Sequence, residues 1–141
     1  MDRGRVLFLC NRNSARSQMA EGLLRHMAGD RFETYSAGIE PASVHPLAIR
    51  AMQEIGIDIS GQHSKSLQEY MGKVHFSHLI TVCSVAEAKC PTTFPGMGRR
   101  LFWDIADPVG PSRSEEESLA RFREARDTIA GRLREWLSTQ P

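Results

Sequence analysis

The sequence has 141 residues, a length that suits one domain with a hydrophobic core, and we expect a single domain over residues 1–141. Its charge is balanced, with 18 Lys and Arg residues against 17 Asp and Glu residues, which excludes a strongly basic surface for nucleic acid or membranes. The apolar stretch near the N-terminus is too short for a signal peptide, and no run reaches the roughly 18 apolar residues of a membrane span. We therefore expect a cytoplasmic monomer whose partners are small anions or other proteins.

The first part of the chain alternates between strand and helix patterns. Residues 5–9 are an apolar run typical of a buried strand, residues 17–27 carry apolar side chains at helical spacing, and residues 32–37 predict a second strand. A second helix is expected to begin at Pro46, because proline suits the first turn, and to end at Gly56, a common C-terminal stop.

The same alternation continues in the second part of the chain. After a polar loop, the pattern predicts a short helix around residues 67–71 and strands over residues 78–82 and 101–105. Ser114 and Glu117 have the spacing of a capping box at the start of a last helix. Apolar residues on one face of that helix predict its buried side: Leu119, Phe122, Ile129, Leu133 and Trp136.

This order of elements predicts an α/β fold, a three-layer sandwich with a central four-stranded parallel sheet flanked by helices. In such sheets, ligand sites lie beyond the carboxyl ends of the strands. Cys10, Cys83 and Asp107 each follow a predicted strand, so we expect them to gather at one edge of the sheet.

The run Cys-Asn-Arg-Asn-Ser-Ala-Arg-Ser, residues 10–17, lies between the first predicted strand and the first predicted helix. The five residues between Cys10 and Arg16 are enough to wrap the backbone around a tetrahedral anion, with N–H groups and the positive end of the helix dipole pointing inward. The planar guanidinium of Arg16 can donate two parallel hydrogen bonds to one anion. The same donors favour a thiolate at Cys10, so the run predicts an oxyanion site with a nucleophile in its floor.

All residues of this loop after Cys10 are candidates for oxyanion binding. Asn13 is a residue type that tolerates a positive φ, which a tight loop commonly demands, and the hydroxyl groups of Ser14 and Ser17 can donate hydrogen bonds within the loop or to Cys10. The candidates are Asn11, Arg12, Asn13, Ser14, Ala15, Arg16 and Ser17.

The three cysteines, Cys10, Cys83 and Cys90, are an odd number in a chain that we expect in a reducing compartment. This argues against a static disulfide framework and for reactive thiols. The histidines near Cys83, His75 and His78, match no complete set of metal ligands, and we predict neither a metal site nor a cofactor.

The 10–17 loop, its continuation Gln-Met-Ala-Glu-Gly at residues 18–22, and the later pair Asp107-Pro108 together resemble the low-molecular-weight protein tyrosine phosphatase family. Cys83 and Cys90 make the chain similar to the thioredoxin-coupled arsenate reductase branch of that family. The resemblance extends over nearly the whole chain, and it implies the same α/β fold and a role in arsenic detoxification.

The resemblance also implies a role for each candidate residue. Cys10 would be the nucleophile, Arg16 and the loop N–H groups would bind the oxyanion, and Asp107 would be the general acid. Cys83 and Cys90 would form a redox pair that thioredoxin regenerates. The substrate would be arsenate, with phosphate and sulfate as competing anions.

Two other functions stay open at this point. A phosphotyrosine phosphatase would use the same Cys10, Arg16 and Asp107, but such enzymes usually carry aromatic residues after the Asp-Pro pair, where this chain has Val109-Gly110. A non-catalytic thiol sensor or anion-binding module would have no need of a general acid at Asp107. Arsenate reduction therefore ranks first and the phosphatase second.

Some members of the family bind a potassium ion beneath the loop. The corresponding residues here are Asn13, Glu21, Ser36, Ser64 and Ser66, the last in place of a carboxylate. The missing carboxylate and the adjacent Lys65 argue against this ion, and Glu21 would then brace the loop through hydrogen bonds.

Overall fold

A computed structural model of the protein describes residues 3–90 and 97–140. Within these ranges the chain forms four strands and four α-helices. The strands are Gly4–Cys10 (β1), Phe32–Gly38 (β2), Phe76–Thr81 (β3) and Met97–Phe102 (β4). The helices are Arg16–Ala28 (α1), Pro46–Gln53 (α2), Ser84–Lys89 (α3) and Glu115–Ser138 (α4), with one 3₁₀ turn at Leu67–Glu69.

The four strands form one parallel sheet in the order β2-β1-β3-β4, which confirms the predicted four-stranded sheet. The crossover through α1 connects β1 to β2, at one edge of the sheet. The crossover through α3 connects β3 to β4, at the opposite edge. Because such crossovers are right-handed, α1 and α3 lie on opposite faces. The order of the strands reverses between β1 and β3, and the ends of these two strands are where a parallel α/β sheet places its ligand.

Burial follows the position of each element in the sheet. The central strand β1 buries Val6, Leu7, Phe8 and Leu9 completely, as its continuous apolar run predicts. Helix α4 packs against α1 and α2, and all five apolar residues predicted for its inner face are buried. No helix in the described ranges is both long and apolar enough to cross a membrane.

The fourth predicted strand differs from the structure. Strand β4 ends at Phe102, whereas the sequence pattern predicted a strand over residues 101–105. The apolar pattern was misleading because Trp103 and Ile105 are buried outside the strand, while the polar Arg99 and Arg100 belong to this edge strand. Asp107 therefore lies on an irregular segment rather than directly at the end of a strand.

Two features of the helices also differ from the prediction. Helix α3 was not predicted, because six residues are too few for a periodic pattern. At the start of α4, the hydroxyl of Ser114 accepts a hydrogen bond from the Glu117 N–H, but the carboxylate of Glu117 accepts from Arg113 rather than from Ser114. Only half of the predicted capping box is therefore present.

Gly38, the last residue of β2, lies against the backbone of the 10–17 loop. A Cβ atom at this position would lie 2.8 Å from the Asn13 nitrogen and 2.9 Å from the Arg12 carbonyl carbon. Both neighbours are backbone atoms, so they cannot move aside as a flexible side chain would. The close approach of β2 to the loop therefore requires glycine.

We predict that Gly38→Ala lowers the free energy of unfolding by about 1–3 kcal/mol, the usual cost of forcing an extra group into a well-packed site. The matched control is Gly131→Ala in α4, where a Cβ meets nothing within 4 Å. That change should raise the free energy of unfolding by about 0.5–1 kcal/mol, because alanine is the better residue inside a helix. Urea unfolding of both variants measures the difference, and equal stabilities would contradict the tight approach at Gly38.

Candidate active site

The 10–17 loop turns its carbonyl groups away from the cavity above Cys10. A following segment, residues 39–45, runs beside the loop and donates backbone hydrogen bonds to these carbonyls. The bonds are Ile39 N to Cys10 O at 3.2 Å, Glu40 N to Asn11 O at 2.7 Å, Ala42 N to Arg12 O at 2.9 Å and His45 N to Ser14 O at 2.8 Å. With the carbonyls engaged on the outside, the loop N–H groups are left for an anion on the inside.

Asn13 holds the shape of the loop from beneath. It is fully buried and has a φ of 52°, which confirms the predicted positive φ. Its side-chain oxygen accepts from the Lys65 backbone N–H at 2.8 Å and from Gln18 Nε2 at 2.9 Å. Since a backbone N–H can only donate, the orientation of the amide is fixed, and its Nδ2 donates to Ser17 Oγ at 2.8 Å.

Cys10 lies at the end of β1 in the floor of the loop, with 3% of its surface exposed. Its Sγ atom accepts a hydrogen bond from the Asn13 backbone N–H at 3.1 Å and lies 2.8 Å from Ser17 Oγ. The Ser17 oxygen already accepts from the Asn13 amide, so its own hydrogen points to the sulfur. Two hydrogen-bond donors therefore point at the Cys10 sulfur in the floor of the loop.

Arg16 begins α1 and points its guanidinium toward the segment after β4. Nη1 donates to the Ile105 carbonyl at 3.0 Å, and Nη2 lies 3.6 Å from the Asp107 carboxylate. The Arg16 side chain is 14% exposed and that of Asp107 is 55% exposed, so the acid lies at the mouth of the site while the arginine lies inside it. The carboxylate of Asp107 also accepts from the Val109 N–H at 3.0 Å.

A cavity of about 450 Å³ joins these groups. It brings Cys10 and Asp107 together, as predicted for this edge of the sheet, with Arg16 beside them. Cys83, the third residue predicted at this edge, is not among the described residues that line the cavity. Its lining residues are Cys10, Asn11, Arg12, Ser14, Ala15, Arg16, Ala42, Ser43, His45, Val85, Asp107 and Val109. Of the predicted loop residues, Asn13 and Ser17 lie beneath the cavity and contact Cys10 from below.

His45 is a cavity residue that the sequence reasoning missed. Its Nδ1 atom accepts a hydrogen bond from the Leu47 N–H at 3.0 Å, so a neutral ring carries its proton on Nε2. Burial lowers the pKa of His45, and its ring packs against Phe122. A histidine directly before Pro46 at a helix start was the available signal, since a side chain in that place commonly caps the helix.

Cys83 lies beside Cys10 across the two central strands. The preceding residue, Val82, donates its backbone N–H to the Leu9 carbonyl at 2.9 Å, so the chain leaves β3 next to the end of β1. Neighbouring strands lie about 4.8 Å apart, which makes Cys83 the cysteine with the shorter path to Cys10. Its Sγ atom accepts from the Ala86 N–H at 3.3 Å and caps α3.

Cys90 lies at the other end of α3, and its backbone N–H donates to the Ala86 carbonyl at 2.8 Å. The side chain is buried, and this burial raises the pKa of its thiol. An ordered helix places Cys83 and Cys90 about 10 Å apart along its axis, given a rise of about 1.5 Å per residue. A disulfide needs Cα atoms within about 7 Å, so α3 must unwind before these two thiols can join.

His78, one of the two histidines that precede Cys83 in the sequence, contacts ordinary structural partners. The His78 ring packs edge-on against Trp136 and bonds to the Ser77 hydroxyl at 3.0 Å. Across residues 3–90 and 97–140, no group of three or more His, Cys, Asp or Glu side chains is arranged to hold a metal ion.

Known proteins resemble this chain over its whole length. The family model for low molecular weight phosphotyrosine protein phosphatase matches residues 5–140. A curated relative named arsenate reductase, from Halalkalibacterium halodurans, is 42% identical over 140 residues, which is 99% of each chain. A solved structure described as an arsenate reductase in the phosphate binding state superposes with a TM-score of 0.80 at 32% identity, covering 96% of this chain and 97% of the other.

A second solved structure is the thioredoxin-dependent arsenate reductase of Corynebacterium glutamicum. It is 31% identical with a TM-score of 0.72, and the match covers 97% of this chain and 61% of that protein. The matches to the family model and to the curated relative extend over the loop, the sheet and the last helix alike. The chain therefore belongs to the low molecular weight phosphotyrosine protein phosphatase family and, within it, to the arsenate reductases.

Proposed function

We propose that this protein reduces arsenate to arsenite, with Cys10 as the nucleophile and with Cys83 and Cys90 as a thiol pair that thioredoxin regenerates. The names of the relatives support the reaction, and one of them is described as thioredoxin-dependent. The observation that carries the proposal is the position of Cys83 beside Cys10 at the ends of adjacent strands. A second thiol at the end of the adjacent strand suits reduction, whereas phosphate-ester hydrolysis has no use for it.

In the first step, the loop N–H groups and Arg16 hold three oxygens of arsenate above Cys10. The thiolate attacks arsenic, a sulfur–arsenic bond forms, and one oxygen leaves as water after Asp107 donates its proton. Phosphate and sulfate have the same tetrahedral shape and negative charge, so both should compete for this site.

In the second step, the Cys83 thiolate attacks the sulfur of Cys10. A Cys10–Cys83 disulfide forms, the sulfur–arsenic bond breaks, and its electron pair stays on arsenic, which leaves as arsenite. Two thiols are oxidised to one disulfide, arsenic(V) becomes arsenic(III), and the oxygen lost in the first step accounts for the water.

In the third step, Cys90 attacks Cys83 and releases Cys10 for another cycle. Burial raises the pKa of the Cys90 thiol, and the ordered helix holds Cys90 too far from Cys83 for a disulfide, so this attack requires α3 to unwind. The helix is tied down by Glu87, whose carboxylate bonds to Thr81 and lies 3.4 Å from the Arg100 guanidinium. A Cys83–Cys90 disulfide on an unwound segment would then be accessible to thioredoxin.

The phosphatase alternative is less well supported. Among residues 3–90 and 97–140, those that line the cavity include no phenylalanine, tyrosine or tryptophan that could hold a phenyl ring, and Val109 follows the Asp-Pro pair. An anion-binding module would have no need of a carboxylate at the mouth of the cavity.

We further propose that the protein acts as a single-domain cytoplasmic monomer, because its three cysteines are free thiols and the site is built from one chain.

The direct test is to incubate the reduced protein with arsenate, without thioredoxin, and to measure both arsenite and free thiols. A reductase releases one arsenite and loses two of its three thiols. A phosphatase or an anion-binding module would release no arsenite and keep all three thiols, and either result would rule out the proposal.

We predict that Asp107→Asn slows the first chemical step by about 10²–10⁴-fold, the usual contribution of a general acid. The carboxylate also pairs with Arg16, so arsenate affinity and the single-turnover rate must be measured separately. The deficit should appear in the rate, because the acid acts on the departing oxygen. A variant with the rate of the parent protein would remove Asp107 from the mechanism.

We predict different arrest points for the two relay cysteines. Cys90→Ser should complete one turnover and stop with a Cys10–Cys83 disulfide, whereas Cys83→Ser should stop earlier, with arsenic bound to Cys10 and no arsenite released. Intact-protein mass spectrometry distinguishes a disulfide from an arsenic adduct, and the matched control, Cys10→Ser, should give neither. Arsenite release by Cys83→Ser in the absence of added thiol would refute the order of attack.

A further inference from the structure

We propose that the ammonium group of Lys65 is a built-in cation beneath the 10–17 loop, so that oxyanion binding by this protein needs no potassium ion. The inference deepens the proposed function, because it concerns the same anion site, but it is tested by phosphate binding rather than by arsenate reduction. It rests on the contacts of Lys65 and on the poor fit of its surroundings to a metal ion.

Lys65 is a buried lysine, and three oxygen atoms surround its ammonium group. Nζ donates to the His63 carbonyl at 2.7 Å and to Ser36 Oγ at 3.3 Å, and lies 3.5 Å from Glu21 Oε1. The Lys65 side chain is 10% exposed and that of Glu21 is 7% exposed. An ammonium has three N–H donors, and here each has an oxygen within reach.

The backbone of Lys65 connects this cation to the anion-binding loop. Its N–H donates to Asn13 Oδ1 at 2.8 Å, and its carbonyl accepts from the Gly38 N–H at 2.8 Å. The neighbouring Ser64 donates its hydroxyl to the Asn13 carbonyl at 2.8 Å. Asn13 in turn donates to Cys10 and Ser17, so a shift of Lys65 would pass directly to the floor of the site.

The residues present do not fit the potassium ion that the family resemblance implies. Asn13 Oδ1 already accepts two hydrogen bonds, and the oxygens of Ser36 and Glu21 face the Lys65 ammonium. The hydroxyl of Ser66, which stands in place of a carboxylate, caps the 3₁₀ turn by accepting from the Gln68 N–H. A potassium ion at these oxygens would lie next to the positively charged Lys65 ammonium group. The place is partly buried, so water would screen the repulsion only weakly.

The surroundings also allow a test by substitution. Glu21 keeps a second cation, since Arg25 Nη2 lies 2.6 Å from its other carboxylate oxygen, so loss of Lys65 does not leave the buried carboxylate without a partner. An open hollow of about 480 Å³, lined by Glu21, Arg25 and Lys65 among others, leads from solvent to this group. A small cation could therefore enter once the lysine is replaced by a neutral residue.

The experiment compares the parent protein with Lys65→Met, and with Lys73→Met as the matched control at an exposed lysine. Isothermal titration with inorganic phosphate is carried out in potassium chloride and in choline chloride at equal ionic strength. The parent and the control should bind phosphate equally in both salts. Lys65→Met should bind about two- to thirtyfold more weakly in choline, the range for a residue that acts through a packed network, and should regain affinity in potassium.

Three results would overturn the inference. The first is a phosphate affinity of the parent protein that rises with potassium. The second is a Lys65→Met variant that binds phosphate in choline chloride as tightly as the parent protein. The third is a weakened Lys65→Met variant whose affinity potassium does not restore, because Lys65 would then have only a structural role. If Lys65→Met does not fold, Lys65→Gln, which keeps an N–H donor for the His63 carbonyl, replaces it. If the phosphate titrations in the two salts give the expected results but the protein does not reduce arsenate, the proposed function is refuted and this inference stands.

Discussion

The hydrogen bonds that hold the carbonyl groups of the 10–17 loop away from the cavity are the constraint on which the site depends. A loop of this length has as many acceptors as donors, and an anion site forms only when the acceptors are engaged elsewhere. The 39–45 segment supplies four backbone donors for this purpose. It can do so only because Gly38 lets the chain approach the loop without a Cβ, and because Asn13 accepts a positive φ.

The same constraint bears on the nucleophilic role that we propose for Cys10. The side chain of Asn13 is fixed by Lys65 and Gln18, and it orients the hydroxyl of Ser17 toward Cys10. The two donors at the Cys10 sulfur were therefore aligned when the chain folded, so they need little reorganisation during a reaction. Arg16 adds a positive charge whose direction is set by the Ile105 carbonyl and Asp107.

Much of this arrangement was predictable because it depends on local chemistry. The apolar run before Cys10 predicts the buried strand, the spacing to Arg16 predicts the anion loop, and the strand order places Cys10 and Cys83 at one edge. Contacts between distant segments were not predictable in the same way. Three such contacts depend on residues far apart in the chain. They are the position of His45 at the cavity wall, the close approach of Gly38 to the loop and the inward turn of the Lys65 side chain. The end of β4 was misplaced because burial of Trp103 and Ile105 imitates a strand.

The proposed mechanism requires three thiols to act in sequence on one oxyanion site, and the disulfide present after turnover shows whether they do. The reduced protein is treated with excess arsenate without thioredoxin, its remaining thiols are alkylated, and its peptides are mapped by mass spectrometry. This mechanism predicts a Cys83–Cys90 disulfide with Cys10 alkylated, because each thiol attacks only the sulfur that the previous step oxidised. A Cys10–Cys90 link, or three alkylated cysteines after arsenate treatment, would contradict it.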